Sequence, residues 1–129
     1  YTLAHLSTVK KQQSDRMARI LKITDENFTN PEFTLSSLAE RIGYNAKYLS
    51  SLFNKGRGEP FTQYLRDLRL KRALFLMEQG IVSVKNIAIL SGFGDALYFS
   101  KIFKQVYGIS PKKYIEKISG TTELTDGSS

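Results

Sequence analysis

The side chains best suited to chemistry in this chain are its lysines and arginines. The 129 residues include nineteen Lys and Arg against twelve Asp and Glu, which gives a formal net charge of +7. Two of the acidic residues, Glu123 and Asp126, lie in a polar C-terminal stretch, so the excess is concentrated in residues 1–118. A basic excess favours polyanions, since the electrostatic field and counterion release both act on phosphate. Charge alone is equally compatible with a basic surface that serves only solubility.

Residue sets typical of enzymes are missing from the sequence. There is no cysteine, which removes disulfides and thiolate metal sites and fits a reducing cytoplasm. The single histidine, His5, cannot form a metal site or a catalytic dyad by itself. Gly92-Phe-Gly94 lacks the third glycine of a dinucleotide-binding fingerprint. We therefore predict no enzymatic activity, no metal and no cofactor.

Nothing in the sequence predicts a membrane segment. No apolar run approaches the roughly 18–20 residues that span a bilayer, and no signal peptide is recognisable. The first residue is Tyr1, not Met, so we expect a fragment of a longer protein.

An internal repeat organises the elements that must position the basic residues. The stretch from Leu35 to Tyr44 returns as Val84 to Phe93, 49 residues later. Each copy continues with matching apolar pairs, glycines and tyrosines: Leu49 and Phe53 against Phe99 and Phe103, Gly58 against Gly108, and Tyr64 against Tyr114. Such repetition predicts two similar structural units.

Each copy has the residues of a helix-turn-helix. An alanine inside the first helix (Ala39, Ala88) allows close crossing, and a glycine (Gly43, Gly92) permits a turn with positive φ. Apolar residues of the second helix hold it to the core and leave its other face free to enter a major groove.

Apolar spacing of three and four residues throughout predicts an all-α fold of about seven helices. We expect Thr34, Ser83 and Asp95 to cap helices, and Tyr48 and Phe75 to point inward. Other predicted limits are a stop at Gly56-Arg57-Gly58, a long helix opened by Pro60, and a short last helix after Pro111. The predicted segments are a lead-in (1–13), a first helix-turn-helix subdomain (14–59), a linker helix (60–80), a second subdomain (81–118) and a disordered tail (119–129).

The linker helix has a length that suits DNA. About twenty helical residues span roughly 30 Å at ~1.5 Å per residue, and successive major grooves on one side of B-DNA lie about 34–36 Å apart. One chain would then reach two adjacent turns of a duplex.

Residues 14–118 resemble the DNA-binding domain of the AraC/XylS family of bacterial transcription regulators. The matching stretches are Leu38-Ala39-x-x-x-Gly43-Tyr44, Tyr48-Leu49-Ser50-x-Leu52-Phe53, Arg69-Leu70-x-x-Ala73, Ile87-Ala88-x-x-x-Gly92-Phe93, Tyr98-Phe99-Ser100-x-x-Phe103-Lys104 and Gly108-Ile-Ser-Pro111-x-x-Tyr114. The family usually has an arginine directly after the tyrosine equivalent to Tyr114, whereas this chain has Ile115. An isoleucine cannot form the ion pair that an arginine would form at this position, but the predicted fold is unchanged.

The resemblance and helix geometry agree on the outward faces of the two recognition helices. The residues expected at base edges are Ala46, Lys47, Ser50 and Ser51 in the first helix and Ala96, Leu97, Ser100 and Lys101 in the second. Those expected near the DNA backbone are Asn54, Lys55, Lys104, Gln105 and Lys112. Lysine can bind guanine O6 and N7, serine pairs with several bases, and Ala or Leu contacts only a thymine methyl. Arg69, beside the apolar stripe, is expected to brace the two lobes and not to contact DNA.

The function implied is sequence-specific binding of double-stranded DNA by the output domain of a larger, cytoplasmic and nucleoid-associated regulator. RNA polymerase and a sensor or receiver region N-terminal to this segment are the expected further partners. The alternative is a basic helical module that binds an acidic protein or RNA. RNA modules expose aromatic platforms, whereas the aromatic residues here fall on buried periodicities.

Overall fold

The computed structural model describes the backbone of residues 2–128 and the side chains of residues 11–119. All regular elements in that part of the chain are α-helices, which confirms the predicted all-α class and the number of seven. Their bounds are α1 Thr2–Asn27, α2 Leu35–Ile42, α3 Ala46–Arg57, α4 Phe61–Glu78, α5 Val84–Ser91, α6 Ala96–Tyr107 and α7 Pro111–Ser128. The sequence predicted a lead-in over 1–13 and a short last helix followed by a disordered tail over 119–129, whereas α1 begins at Thr2 and α7 runs to Ser128. The side chain of His5 lies outside the described residues.

The helices form two compact units. The first comprises Tyr1–Phe28 and Glu32–Arg66, and the second comprises Thr29–Pro31 and Asp67–Ser129. Helix α4 contributes its first six residues to one unit and the rest to the other.

The core of the first unit is built around aromatic edge contacts. Phe53 and Phe61 are almost completely buried, and their rings meet at 5.3 Å between centroids with an interplanar angle of 89°. Phe33 packs on Phe61 from the other side at 6.4 Å. Edge-to-face pairs of this kind stabilise by about 0.5–1.5 kcal/mol beyond the area they bury. With buried Ile20 and Leu49, these rings fix α3 against α1 and α2.

The second unit repeats this plan with its own residues. Phe99 and Phe103 take the places of Leu49 and Phe53, are fully buried, and lie 5.7 Å apart between ring centroids. Phe93 packs on Phe99 at 5.0 Å, and Tyr114 packs on Phe103 at 5.7 Å. The sequence repeat is therefore a repeat of core positions.

The predicted caps and turns are confirmed in both copies. Thr34 accepts the backbone N–H of Ser37 at 3.2 Å, and Ser83 accepts that of Asn86 at 3.2 Å. Gly43 ends α2 with φ 86°, and Gly92 ends α5 with φ 100°. Each first helix of a pair is thus limited to eight residues.

Two side chains expected to point inward are exposed. Phe75 is 47% exposed because it follows Ala73 by two residues, which places it about 200° further round the helix. Leu70 and Met77, three residues before and four after Ala73, are buried instead. Tyr48 is 48% exposed; its ring packs edge-on against Tyr44 at 5.3 Å.

The predicted stop of α3 at Gly56-Arg57-Gly58 is confirmed at Gly58 and is wrong at Gly56. Gly56 lies inside the helix, which continues to Arg57 and is capped by Gly58 at φ 75°. A Cβ built on Gly56 would lie 2.5 Å from Cε of Met17. The missing side chain at residue 56 leaves room for the terminal methyl of Met17, and Gly56 does not stop the helix.

Candidate nucleic-acid interface

Helix α3 is held at its first turn and along its buried face. The side chain of Asn45 accepts the backbone N–H groups of Lys47 at 2.8 Å and Tyr48 at 3.2 Å, which satisfies two of the four unpaired donors of the helix start. Leu49 and Phe53 are fully buried on the inner face. The rotation of α3 about its axis is therefore fixed, and so is the set of side chains on its outer face.

The outer face of α3 borders one open concavity of about 570 Å³. All six residues that the sequence assigned to the first recognition helix line it, together with Leu35 of α2: Ala46, Lys47, Ser50, Ser51, Asn54 and Lys55. Ala46 and Ser50 are half-buried at the base, whereas the other four residues of α3 are exposed. The structure thus brings these six side chains together on one surface.

Leu35 is the residue of this concavity that the sequence argument did not assign to it. Its helical spacing with Leu38 placed it in the core, and it does pack against the buried cluster of the first unit. Its half-buried position at the start of α2 also leaves part of the side chain in the concavity. The signal available in the sequence was its position directly after the Thr34 cap.

Helix α6 is anchored in the same way by different residues. The carboxylate of Asp95 accepts the backbone N–H groups of Leu97 at 3.4 Å and Tyr98 at 3.1 Å. A carboxylate at this end also complements the partial positive charge of the helix N-terminus. With Phe99 and Phe103 buried, the outer face carries the residues assigned to the second recognition helix. Leu97, Lys101 and Lys104 are exposed there, and Ala96 and Ser100 are half-buried.

The outer faces of α3 and α6 differ in chemistry at matching positions. Lys47 corresponds to Leu97, which is 81% exposed, and Ser51 corresponds to Lys101. A cation therefore begins the exposed face of α3, whereas an apolar side chain begins that of α6.

Lys112 lies exposed at the start of α7, next to the cap of that helix. The hydroxyl of Ser110 accepts the backbone N–H of Lys113 at 3.2 Å. Thr34 and Ser83 accept one backbone N–H each in the same manner. At each of these three helix starts, one backbone N–H is thus bonded to a cap hydroxyl.

Arg69 was predicted to brace the two lobes, and the hydrogen bond that the structure gives it lies within one unit. Its Nη2 donates to the backbone carbonyl of Asn30 at 3.0 Å, within the second unit. Burial lowers the pKa of the guanidinium from its ordinary value, and the nearby Tyr98 acts in the opposite direction. An arginine stays charged throughout the physiological range, so a partly buried cation holds this turn.

The part of the chain with described side chains contains no group of three or more His, Cys, Asp and Glu residues that could hold a metal ion. Across the described helices, none combines the length and apolar character needed to cross a membrane.

Two capped helix pairs, each with a glycine turn and an exposed second helix, define a tandem helix-turn-helix protein. The sequence model of a family described as "Helix-turn-helix domain" matches residues 38–117. The chain belongs to this family, in its AraC-type form.

Similar proteins are named as transcription regulators or response regulators. The chain is 35% identical over 85 residues to the HTH-type transcriptional activator RhaR of Pectobacterium carotovorum, covering 66% of this chain and 30% of that protein. It is 33% identical over 109 residues to the transcriptional regulatory protein YesN of Bacillus subtilis, covering 82% of this chain and 30% of that protein. A crystal structure of the C-terminal domain of the two-component response regulator yesN from Fusobacterium nucleatum superimposes with a TM-score of 0.76 at 37% identity, covering 79% of this chain and 99% of that one. The chain thus spans less than a third of these two curated relatives.

Proposed function

We propose that this chain binds double-stranded DNA sequence-specifically through α3 and α6 and regulates transcription as the output domain of a longer bacterial protein. The observation that carries the proposal is the open concavity of α3, where all six predicted residues line one surface on a helix pinned by Leu49 and Phe53. A major groove about 12 Å wide admits one α-helix presented in this way. Membership in the AraC-type family and the similarity to RhaR, a transcriptional activator by name, support the same function.

Base and backbone contacts divide along the recognition helices. The N-terminal residues of a recognition helix reach base edges, which assigns Ala46, Lys47, Ser50 and Ser51 to bases and Asn54 and Lys55 to the sugar-phosphate backbone. Seven residues further along a helix lie about 10 Å away, so Lys104 falls beyond the bases that Leu97 can reach. In the second unit Ala96, Leu97, Ser100 and Lys101 are then the base-contacting set, with Lys104 and Lys112 on phosphates.

Two recognition helices in one chain would contact adjacent major grooves. Helix α4 contributes to both units, and its 18 residues span about 27 Å. This length is somewhat shorter than the distance of about 34–36 Å between successive major grooves on one side of B-DNA. Because the outer faces of α3 and α6 differ, the two half-sites would differ in sequence. The preferred target is therefore directional and not a palindrome.

The test starts from duplexes selected from a random pool by the intact chain. We expect two unlike half-sites about one helical turn apart, and a steep fall of affinity with salt because each neutralised phosphate adds roughly 0.9 to the slope of log K against log salt. Selection of no sequence, or equal binding of RNA, acidic peptide and any duplex, would overturn the proposal.

Two lysine variants then test the assigned roles. Lys47→Ala and Lys101→Ala should lower affinity for the selected duplex more than for a random duplex, since a lost base contact costs about 1–3 kcal/mol of discrimination. Lys71 is an exposed lysine on α4, and Lys71→Ala is the matched control. It should change the affinity for neither the selected nor the random duplex. If Lys47→Ala and Lys101→Ala weaken both duplexes equally and each lowers the salt slope by about one, these lysines contact phosphates.

The wider role rests on the longer protein. We infer a sensor or receiver region outside this segment, contact with RNA polymerase at promoters, a cytoplasmic location at the nucleoid, and no catalytic activity in this segment. The name of the Fusobacterium protein, a response regulator, supports a receiver as one such region. Transcription from a promoter bearing the selected site, with and without the full-length protein, tests this role.

A further inference from the structure

Leu97 is the most exposed large apolar side chain among the described residues. It is 81% exposed, whereas the next values among large hydrophobic residues are 65% for Val82 and 51% for Tyr98. A single exposed leucine is ordinary on a protein surface. The position of this one makes it informative.

Leu97 is the second residue of α6, two positions after the Asp95 cap. Its own backbone N–H is bonded to the Asp95 carboxylate at 3.4 Å, so the start of the helix that carries it is fixed. Residues at the start of a recognition helix are those that reach base edges. The matching residue of α3 is Lys47, whose ammonium suits guanine acceptors.

A leucine offers neither donor nor acceptor, so its choice among bases is narrow. The only apolar group that unmodified DNA presents in the major groove is the C5 methyl of thymine. We propose that Leu97 contacts a thymine methyl, so that the half-site bound by α6 requires a thymine. Lys47, the matching residue of α3, makes no such contact. The proposal rests on the proposed DNA-binding function and adds the base class that α6 selects.

The surroundings of Leu97 favour DNA over a protein partner. Lys101 and Lys104, four and seven residues later, share its exposed face, and that spacing keeps them on one side of the helix. The exposed Tyr98 beside it packs its ring against Phe93 at 6.0 Å between centroids. An apolar group followed by a cation for a base edge (Lys101) and a cation for a phosphate (Lys104) matches a methyl-bearing stretch of duplex DNA.

Two parallel selections test the proposal, one from a random duplex pool made with thymine and one from a pool made with uracil. Uracil keeps the hydrogen-bonding groups of thymine and lacks only the methyl. In the thymine pool we expect at least one preferred thymine in the half-site of α6, and in the uracil pool that preference should vanish. The half-site of α3 should keep its preferred guanine positions in both pools.

Single-site measurements on the best thymine duplex complete the test. Replacing the critical thymine by uracil should weaken binding roughly fourfold, the value expected for one buried methyl. The same replacement should have no effect on Leu97→Ala, whose loss of affinity for the thymine duplex should be roughly tenfold. Lys47→Ala is the matched control and should retain the full fourfold methyl effect. Because Leu97 is 81% exposed, Leu97→Ala removes little buried surface, and circular dichroism should show unchanged folding.

The outcomes separate the two proposals. If neither pool yields a preferred sequence, the DNA-binding function itself fails. If both pools yield the same preferences, or if uracil weakens Leu97→Ala as much as the parent chain, sequence-specific binding stands and the methyl contact by Leu97 is overturned.

Discussion

Arg69 Nη2 and the backbone carbonyl oxygen of Asn30 lie 3.0 Å apart, which joins the middle of α4 to the turn that follows α1. The donor is charged and lies in a partly buried place, and hydrogen bonds to charged groups stabilise proteins by about 1.5–3 kcal/mol. The bond is formed within the second unit, to which residues 29–31 belong.

Arg69→Ala should therefore lower the free energy of unfolding by about 1.5–3 kcal/mol, measured by urea denaturation. Arg72→Ala is the control, because Arg72 is exposed on the same helix and its guanidinium lies 5.4 Å from the centroid of the Phe75 ring. An exposed cation–π contact accounts for about 0.5–1 kcal/mol. Equal losses in the two variants would show that the Asn30 contact adds nothing.

Gly43 and Gly94 provide a matched comparison of backbone strain with and without a close neighbour. Their φ angles are 86° and 79°, but a Cβ on Gly43 meets nothing within 4 Å, whereas one on Gly94 would lie 3.0 Å from Cβ of Pro31. Gly43→Ala should cost about 1–2 kcal/mol, the ordinary left-handed penalty. Gly94→Ala should cost measurably more in the same thermal unfolding assay, since the Pro31 ring must also move. A smaller loss at residue 94 would contradict this reading of the turn.

The Asp95 cap has a structural role, and in the proposed complex its negative charge would also lie near DNA. Its carboxylate accepts two backbone N–H groups of α6, so Asp95→Ala should cost about 0.5–2 kcal/mol of stability. Asp95→Asn retains one of the two accepting oxygens and should keep most of that stability, since Asn caps helices about as well as Asp. Because the asparagine variant removes a negative charge close to phosphates, its affinity for the selected duplex should rise at low salt. Unchanged affinity at all salt concentrations would place Asp95 away from the DNA backbone.

The sequence predicted most of the fold because its strongest signals are local and repeated. Thr34, Gly43 and Asp95 have the conformations that their residue types favour, since a cap or left-handed turn depends on few neighbours. Failures occurred where one helix meets another. The sequence predicted Gly56 to stop α3. In the structure, its missing side chain leaves room for the methyl of Met17, which lies on α1, 39 residues earlier in the chain.

The sequence predicted which residues of α3 share one face, but it did not predict which neighbouring helix borders that face. Helical periodicity placed Lys47, Ser51 and Asn54 on one face, and the structure brings them together in the concavity of α3. The periodicity of α2 gave no reason to add Leu35, because that depends on the crossing of two helices. Tyr48 was misplaced for a similar reason, since its exposed ring packs on Tyr44 and its hydroxyl accepts a long 3.4 Å contact from Arg16.

Ile115 provides a direct test of a departure from the family pattern, where an arginine is usual. Here the side chain is only 7% exposed in the core of the second unit, as Leu65 is 6% exposed at the matching position of the first. Ile115→Leu should therefore cost less than about 1.5 kcal/mol, because volume is conserved. Ile115→Ala should cost about 2–5 kcal/mol through lost burial and a cavity. Ile115→Arg should destabilise at least as strongly as Ile115→Ala, because an isolated charge in the core is not solvated. Glu116→Arg is the control: residue 116 is exposed, and the variant should change stability by no more than about 0.5 kcal/mol. Urea denaturation of the four variants decides the matter: an Ile115→Arg variant as stable as the parent chain would mean that residue 115 can turn outward to the position that the family arginine usually takes.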